Sequence, residues 1–463
     1  MPATTAEAES SAAPIATRVS DGLEYLEIKH LRDRLKDVES PFTVDNNAGG
    51  GFVGDTDLVQ IGIMKYDNIE SSGAQCPGVY DAGTGSCMLL PPYAIRSGPR
   101  RTIYRDPKHV TAAVVTCGGL CPGLNDVVQN IVFTLDDYGV PDDQIFGIRY
   151  GLRGFLDRHA KPINLTRNSV EGIQLKGGTL LGTSRGNAKI KDIVERLQLW
   201  GINMLFVIGG NGGNAAAHAI ALECLAQNVD CNVVGVPKSI DNDIQIIDRC
   251  FGFDTAVEEA QRSLVSARVE AKSAAGISIV KLMGRQSGFI SMNASMASGC
   301  VDVCLVPEVP FKMDKLQEHI DKVLKQNNFC VMCIAEGAGQ DILKANGTTG
   351  TDASGNPILE DVGTWMRDAM KKAFPGVAVR YIDPSYMIRS IPTITTDRIY
   401  CKVLGQGAVH GAFAGFTDFT VGLVNTHYVF LPTTTIIESP RTVDPKGRQW
   451  NRLKTAINQP DFY

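Results

Sequence analysis

From Val110 onward, short β-branched runs alternate with amphipathic stretches, and this alternation limits the possible fold more than any other feature. Strands are expected at 111–116, 145–149, 203–208, 231–236, 276–282, 301–306 and 329–334. Helices are expected at 123–137, 187–200, 213–228, 254–273, 287–299 and 314–326. Such a pattern marks right-handed βαβ units on parallel sheets. A length of 463 residues exceeds one small core and implies about two to three domains. The preceding region reads differently. Residues 1–20 suggest disorder, 21–40 a short charged helix, and 45–54 a Gly-rich linker, with loops up to about 110.

In open parallel sheets, ligands sit beyond the carboxyl ends of the strands. The residues just past each apolar run are therefore the informative ones. In order they are Cys117-Gly118-Gly119, Gly209 to Gly213, Pro237 to Asp243, Met283-Gly284-Arg285 and Ala335-Glu336-Gly337. All are Gly-rich or charged. The net charge of -5 argues against a footprint for nucleic acid or an anionic membrane, so anions must be bound by local clusters of Arg, Lys and backbone N–H. No apolar stretch approaches the ~20 residues of a membrane span. The 12 cysteines are scattered, many in apolar segments, and read as reduced, buried thiols of a cytoplasmic protein. The N-terminus lacks an apolar h-region and carries early acidic residues, so it reads as neither a secretory signal nor a transit peptide.

Each motif suggests its own chemistry. In MLFVIGGNGGNAAA, a strand ends in glycines and a helix follows, which describes a phosphate cradle at a helix N-terminus. Gly210, Gly212 and Ala215 also fit G-x-G-x-x-A, the dinucleotide pattern. The Walker A pattern is absent, which excludes a P-loop kinase. Gly177 to Gly186 flank Arg185 with glycines, as suits a loop over polyphosphate. In Pro237-Lys238-Ser239-Ile240-Asp241-Asn242-Asp243, one carboxylate can accept a proton and the other can help hold Mg²⁺. Lys238 should keep both ionised and can reach a moving phosphoryl group. Arg285, Arg380 and Arg389, with Glu336 and Tyr386, describe a pocket for a phosphorylated sugar.

These motifs resemble the phosphofructokinase family. The resemblance rests on TCGGLCPGLND, GGTLLGTSRG, FVIGGNGG, PKSIDND, GFDTAVEEA, KLMGRQSGF, AEGAGQ and DPSYMIRS, in family order over about residues 95–460. It is nearest to the plant and protist branch with long N-terminal extensions. It implies an α/β fold of two Rossmann-like parallel-sheet domains with the active site in the cleft between them. The implied division is an extension over 1–95, a nucleotide domain over 96–254 plus about 394–440, a sugar-phosphate domain over 255–393, and a C-terminal segment over 441–463. The implied reaction is phosphoryl transfer from ATP, with Mg²⁺, to the 1-hydroxyl of fructose 6-phosphate, by a homo- or hetero-oligomer.

By the same resemblance, Gly119, Arg185, Gly186, Gly210, Asn211, Gly212 and Gly213 bind the nucleotide. Asp241 is the proton acceptor, grouped at the reaction centre with Lys238 and Gly212. Ser239, Ile240, Asp241, Met283, Gly284, Arg285, Glu336, Tyr386 and Arg389 contact the sugar phosphate, and Arg380 reaches it, across a subunit interface in some arrangements. Metal contacts fall to Asp243 and Asn211. The family commonly has Asp at position 211 and a hydroxyl residue at position 213. Asn211 and Gly213 therefore raise an alternative, a weakly active or regulatory subunit. Gly212 goes with ATP as donor, since a carboxylate there would crowd the α-phosphate. A nicotinamide oxidoreductase is the competing enzyme class.

Overall fold

The computed structural model describes residues 16–20, 22–42, 51–62, 79–81, 86–88, 91–184, 188–344, 350 and 358–463. Two sheets organise these residues. The larger has 11 strands, and its parallel heart runs Phe419–Val424, Asn232–Pro237, Met204–Gly209, Ala112–Thr116, Ile145–Ile148. The smaller has four parallel strands, ordered Val303–Leu305, Cys330–Ala335, Ile277–Leu282, Val379–Ile382.

The apolar runs form strands because both faces of each sheet are covered. Met204–Gly209, Asn232–Pro237 and Cys330–Ala335 are buried at every position. One face of the large sheet packs on helices Leu124–Asp137 and Thr395–Phe413, through Val128, Ile131, Leu404 and Ala408. The other packs on helices Ile190–Leu199 and Asn211–Ala226, through Ile193, Leu197, Ile220 and Cys224. The small sheet lies between helices Phe253–Ser273 and Phe289–Ser298 on one side and Met313–Asn327 and Val362–Ala373 on the other. Each fully buried large apolar side chain contributes about 1.5–3 kcal/mol.

The first hundred residues depart from expectation. The short charged helix expected at 21–40 does not form. Leu23–Leu26 is a strand, paired antiparallel with Thr17–Ser20, and only Arg32–Arg34 makes a 3₁₀ turn. The charges that suggested a helix face are used in tertiary contacts instead. Arg32 pairs with Asp55, donates to the Ala414 carbonyl at 2.7 Å, and stacks over Tyr104 and Phe416. Leu23–Leu26, Leu58–Gln60 and Tyr93–Arg96 join the large sheet, the last pairing with His427–Pro432. The stretch read as loops therefore supplies one side of that sheet. Residues 1–15 and 43–50, which include most of the expected disordered start and part of the Gly-rich linker, lie outside the described residues. Helix Arg448–Ile457 packs Trp450 and Leu453 into the core on the small sheet's side.

Some of the glycines serve packing. Gly252 has φ +83°, and a Cβ there would meet Cys121 and Pro122, so the glycine that opens GFDTAVEEA is required by packing at the start of helix Phe253–Ser273. Its Thr255 donates to Asp397 at 2.6 Å. A Cβ on Gly177 would overlap the backbone carbonyl of Ser390, where the Gly-rich loop lies against the segment leading back from the small sheet. Gly177→Ala should therefore destabilise the protein by about 1–3 kcal/mol, read as a lower midpoint in urea unfolding. An unchanged midpoint would show that this backbone contact yields freely.

Candidate active site

A cleft of about 1090 Å³ opens between the sheets, larger than the ~300–1,000 Å³ of common ligand pockets. Carboxyl ends of strands from both sheets line it. On the large-sheet side, Cys117 to Leu120 follow Ala112–Thr116, Gly210 to Gly213 follow Met204–Gly209, and Lys238 to Asp243 follow Asn232–Pro237. On the small-sheet side stand Met283, Arg285, Glu336, Tyr386 and Arg389.

Gly210 is the N-cap of helix Asn211–Ala226, so the N–H groups of the first turn face the cleft without intrahelical partners. A Cβ added to Gly212 would meet nothing within 4 Å, which leaves that flank of the cradle open. Lys238 is buried, and its amide donates to the Gly209 carbonyl at 2.8 Å, which holds the cradle against the carboxylate turn. Ser239 Oγ donates to Asp243, and Asn211 Nδ2 lies 3.4 Å from the other Asp243 oxygen. Asn211 Oδ1 and Asp241 Oδ1 are both buried without a hydrogen-bond partner.

Electrostatics here differ from the sequence reading. Asp241 keeps part of its surface on the cleft, yet burial pushes its carboxyl up to about 8. The charges of Asp243 and Glu336 add to the rise, and Lys238 and Arg285 oppose it. Burial likewise raises Asp243, against the hydrogen bond from Ser239 and the charge of Lys238. One ammonium does not keep both carboxylates ionised, because desolvation of two neighbouring acids outweighs it.

The other expected residues fall as follows. Gly119 and Ile240 line the cleft. Gly284 sits beneath it at φ +125°, its carbonyl accepting from Gly337 N at 3.0 Å. Arg285 and Glu336 approach to 4.0 Å. Tyr386 is 73% exposed at the mouth, and the Arg389 guanidinium lies 4.5 Å from its ring centre. Arg380 is exposed and does not line this chain's cleft, a correction to its place in the sugar pocket. Arg185 and Gly186 lie outside the described residues. Sequence reasoning passed over an apolar wall of Leu152, Ala188, Ile190 and Ala216, the pair Lys281 and Asp383, and Ile437 and Pro440 from far along the chain. Of these, Ala216, Lys281 and Asp383 had a signal, as members of quoted motifs.

The donor set fits Mg²⁺. Asn211 and Asp243 present oxygens to the cleft, and Asn211 Oδ1 is buried and unpartnered. Magnesium is commonly held by one or two carboxylates, with substrate phosphates and water completing the shell. Among the described residues, no helix is long and apolar enough to cross a membrane.

The model of the family described as Phosphofructokinase matches residues 111–412. The chain is 49% identical to "ATP-dependent 6-phosphofructokinase 5, chloroplastic" of Arabidopsis thaliana over 460 residues, 94% of this chain and 84% of that one. It is 48% identical to "ATP-dependent 6-phosphofructokinase 1" of the same plant, covering 79% of each. It is 39% identical to "ATP-dependent 6-phosphofructokinase" of Trypanosoma brucei brucei, covering 77% of this chain and 74% of the relative. Its fold is similar to a pyrophosphate-dependent phosphofructokinase from Nitrosospira multiformis, with TM-score 0.64, 17% identity, and 77% and 93% of the two chains covered. It is also similar to Pichia pastoris phosphofructokinase, with TM-score 0.61, 22% identity, and 76% and 37% covered. With the family model over most of its length and relatives at this identity, the chain belongs to the phosphofructokinase family.

Proposed function

We propose that the cleft transfers the γ-phosphoryl group of ATP to the 1-hydroxyl of fructose 6-phosphate, giving fructose 1,6-bisphosphate in glycolysis. The observation that carries this reading is the juxtaposition of the Gly210–Gly213 helix cradle with the half-buried Asp241, opposite a pocket holding Arg285 and Arg389. Gly119 and the cradle amides hold the nucleotide phosphates, and the apolar wall from Leu152 to Ala216 takes the base. Arg185 and Gly186 are assigned to the same nucleotide. Lys238 faces the transferring group. Asp241 accepts the hydroxyl proton, with Ser239 and Ile240 beside it. Met283, Arg285, Glu336, Tyr386 and Arg389 hold the sugar and its phosphate, with Gly284 shaping the turn. Arg380, exposed and off this cleft, would reach a sugar phosphate only in a neighbouring copy.

Asn211 and Asp243 would hold Mg²⁺ delivered with the nucleotide. Bound there, the ion neutralises phosphate charge. Asn211 supplies a neutral carbonyl oxygen where a carboxylate would bind more firmly. The ten buried, free cysteines among the described residues suit a reducing compartment, and the cytosol is the reading we keep. The test of the whole reading is turnover of fructose 6-phosphate by the purified protein, with ATP and pyrophosphate in parallel and Mg²⁺ titrated. No turnover at any Mg²⁺ level would favour the regulatory subunit.

Donor choice follows from the space at Gly212. ATP should support turnover and pyrophosphate should not. Gly212→Asp should abolish ATP use through crowding and like-charge repulsion. Equal rates with both donors in the unmodified protein would contradict this.

Losing one charge-assisted contact costs about 1.5–3 kcal/mol. Arg389→Ala should therefore raise the fructose 6-phosphate KM about tenfold or more, and leave the ATP KM within about twofold. An unchanged KM would make Arg389 structural.

Asp241 yields a prediction of two parts. A general base contributes about 10²–10⁴-fold, so Asp241→Asn should cut kcat at least about 100-fold with little loss of binding. A carboxyl raised from 3.8 to about 8 on folding favours its neutral form in the folded state. Its stability penalty grows as pH rises through the unfolded value and levels off above about 8. Asp241→Asn should therefore raise the melting temperature of the ligand-free protein at pH 7 and not at pH 3. In the unmodified enzyme, kcat/KM should fall with falling pH, with an apparent pKa well above the ordinary carboxylate range. Full kcat in Asp241→Asn would sink the mechanism. A melting temperature lowered at pH 7 would sink the electrostatic account.

A further inference from the structure

Lys281 and Asp383 line the cleft yet have no part in the machinery above. Lys281 is next to last in strand Ile277–Leu282. The neighbouring strand Val379–Ile382 runs parallel, with Ile279 beside Tyr381 and Val280 beside Ile382. Register therefore sets Lys281 beside Asp383, the first residue past that strand. Lys281 Nζ lies 2.7 Å from Asp383 Oδ2 and 3.9 Å from Asp361 Oδ1. The lysine side chain is only 16% exposed, so the ammonium has little freedom to swing into water.

Asp383 has a second set of bonds. Its Oδ1 accepts from Ser385 N at 3.1 Å and from Ser385 Oγ at 2.6 Å. These close the turn that opens the short helix Ser385–Ile388, which leads directly into Arg389. That helix has little packing of its own. Ile388 is buried, whereas Tyr386 and Met387 are 73% and 74% exposed. The chain from the Lys281 ammonium through the Asp383 carboxylate to Ser385 thus joins a buried strand to a weakly packed segment that faces the cleft.

We propose that the Lys281–Asp383 ion pair is a positioning device: it pins the start of helix Ser385–Ile388 to the small sheet and so sets where Tyr386 and Arg389 meet the sugar phosphate. The proposal rests on the assignment of Tyr386 and Arg389 as substrate contacts. Asp361 and the Tyr381 hydroxyl are the other polar groups facing the ammonium, and Asp361 is occupied in capping helix Val362–Ala373. Burial works against the Lys281 ammonium, but the hydrogen bond and charge of Asp383 outweigh it and keep the lysine charged.

The test is steady-state kinetics of the full chain and of Lys281→Met, Lys281→Arg, Asp383→Asn and the double variant Lys281→Met with Asp383→Asn, each substrate varied in turn. Lys281→Met and Asp383→Asn should each raise the fructose 6-phosphate KM about tenfold, with kcat and the ATP KM within about twofold. The double variant should be no worse than the poorer single, because both remove one tether. Lys281→Arg keeps the charge and should stay within about threefold of the unmodified KM. Penalties that multiply in the double variant would make Lys281 a direct substrate contact and overturn the proposal. So would an unchanged KM in Asp383→Asn, which decides the matter even if Lys281→Met does not fold. Failure of the unmodified protein to turn over fructose 6-phosphate would instead count against the functional assignment itself.

Discussion

The Lys238 amide donates to Gly209 O, and the Cys117 amide donates to Ile208 O, each at 2.8 Å. These two bonds carry the ladder of the large sheet beyond its strands, and the nucleotide half of the cleft depends on them. They bring Cys117–Gly119, Gly209–Gly213 and Lys238–Asp243 side by side before any side chain acts. The ladder cannot slip, because Met204–Gly209 and Asn232–Pro237 are buried at every position, and a shift of one residue would exchange the faces of all their side chains. The placement of Asp241 is in this sense inherited from the burial of the two strands. No loop has to find it independently.

The same burial explains what could be read from the sequence. Strands covered on both faces give continuous apolar runs, so the alternation from Val110 to Ala335 placed its elements within three residues of their observed ends. The strand-end motifs stood out because glycines and charges interrupt apolar runs abruptly. Past 334 that contrast fades. Helix Thr395–Phe413 carries Gly405, Gly407 and Gly411, and its second half is buried all round, between the large sheet and helix Leu124–Asp137. Its polar stripe, Arg398, Lys402 and Gln406, covers only the first half, and the fully buried second half has no polar face to reveal its period. Within the site, Leu152 and Ile190 look like any core residue, and Lys281 is hidden inside a strand run. Arg380 stands apart from the other guanidinium groups. Its residue type suits a phosphate, but its position on Val379–Ile382 leaves it exposed away from this chain's cleft.

Charge in the cleft is arranged at some cost. Two half-buried acids separated by one residue lie beside a single ammonium, and desolvation prevails over attraction for both. In the proposed reaction, a neutral Asp241 in the free protein would remove one like-charge contact from the path of an incoming triphosphate. In that reaction its ionisation would be needed only where a proton must be accepted. A fold can tolerate such a group because stability is supplied elsewhere, by cores on both faces of both sheets. The unpartnered oxygens of Asn211 and Asp241 belong to the same pattern, since polar atoms left unsatisfied in a well-packed interior are expected where a ligand completes them.

The end of the chain closes the site from behind. Ile437 and Pro440 line the cleft, and the Arg441 amide donates to the Asp243 carbonyl at 2.7 Å. The Arg441 guanidinium donates to Ile247 O and Asp248 O and stacks over Phe289. Two residues on, the Val443 amide donates to Glu308 at 2.7 Å, and the same carboxylate oxygen accepts from Gly288 at the start of helix Phe289–Ser298. This segment therefore runs from the carboxylate turn of one sheet to the Met283–Arg285 strand end of the other. The chain crosses between the sheets here, before helix Phe253–Ser273, and again at 389–395. Three crossings constrain the relative placement of the sheets more than one hinge would. The distance from the nucleotide cradle to the sugar pocket is then set by backbone hydrogen bonds, with the side chains of the cleft refining it.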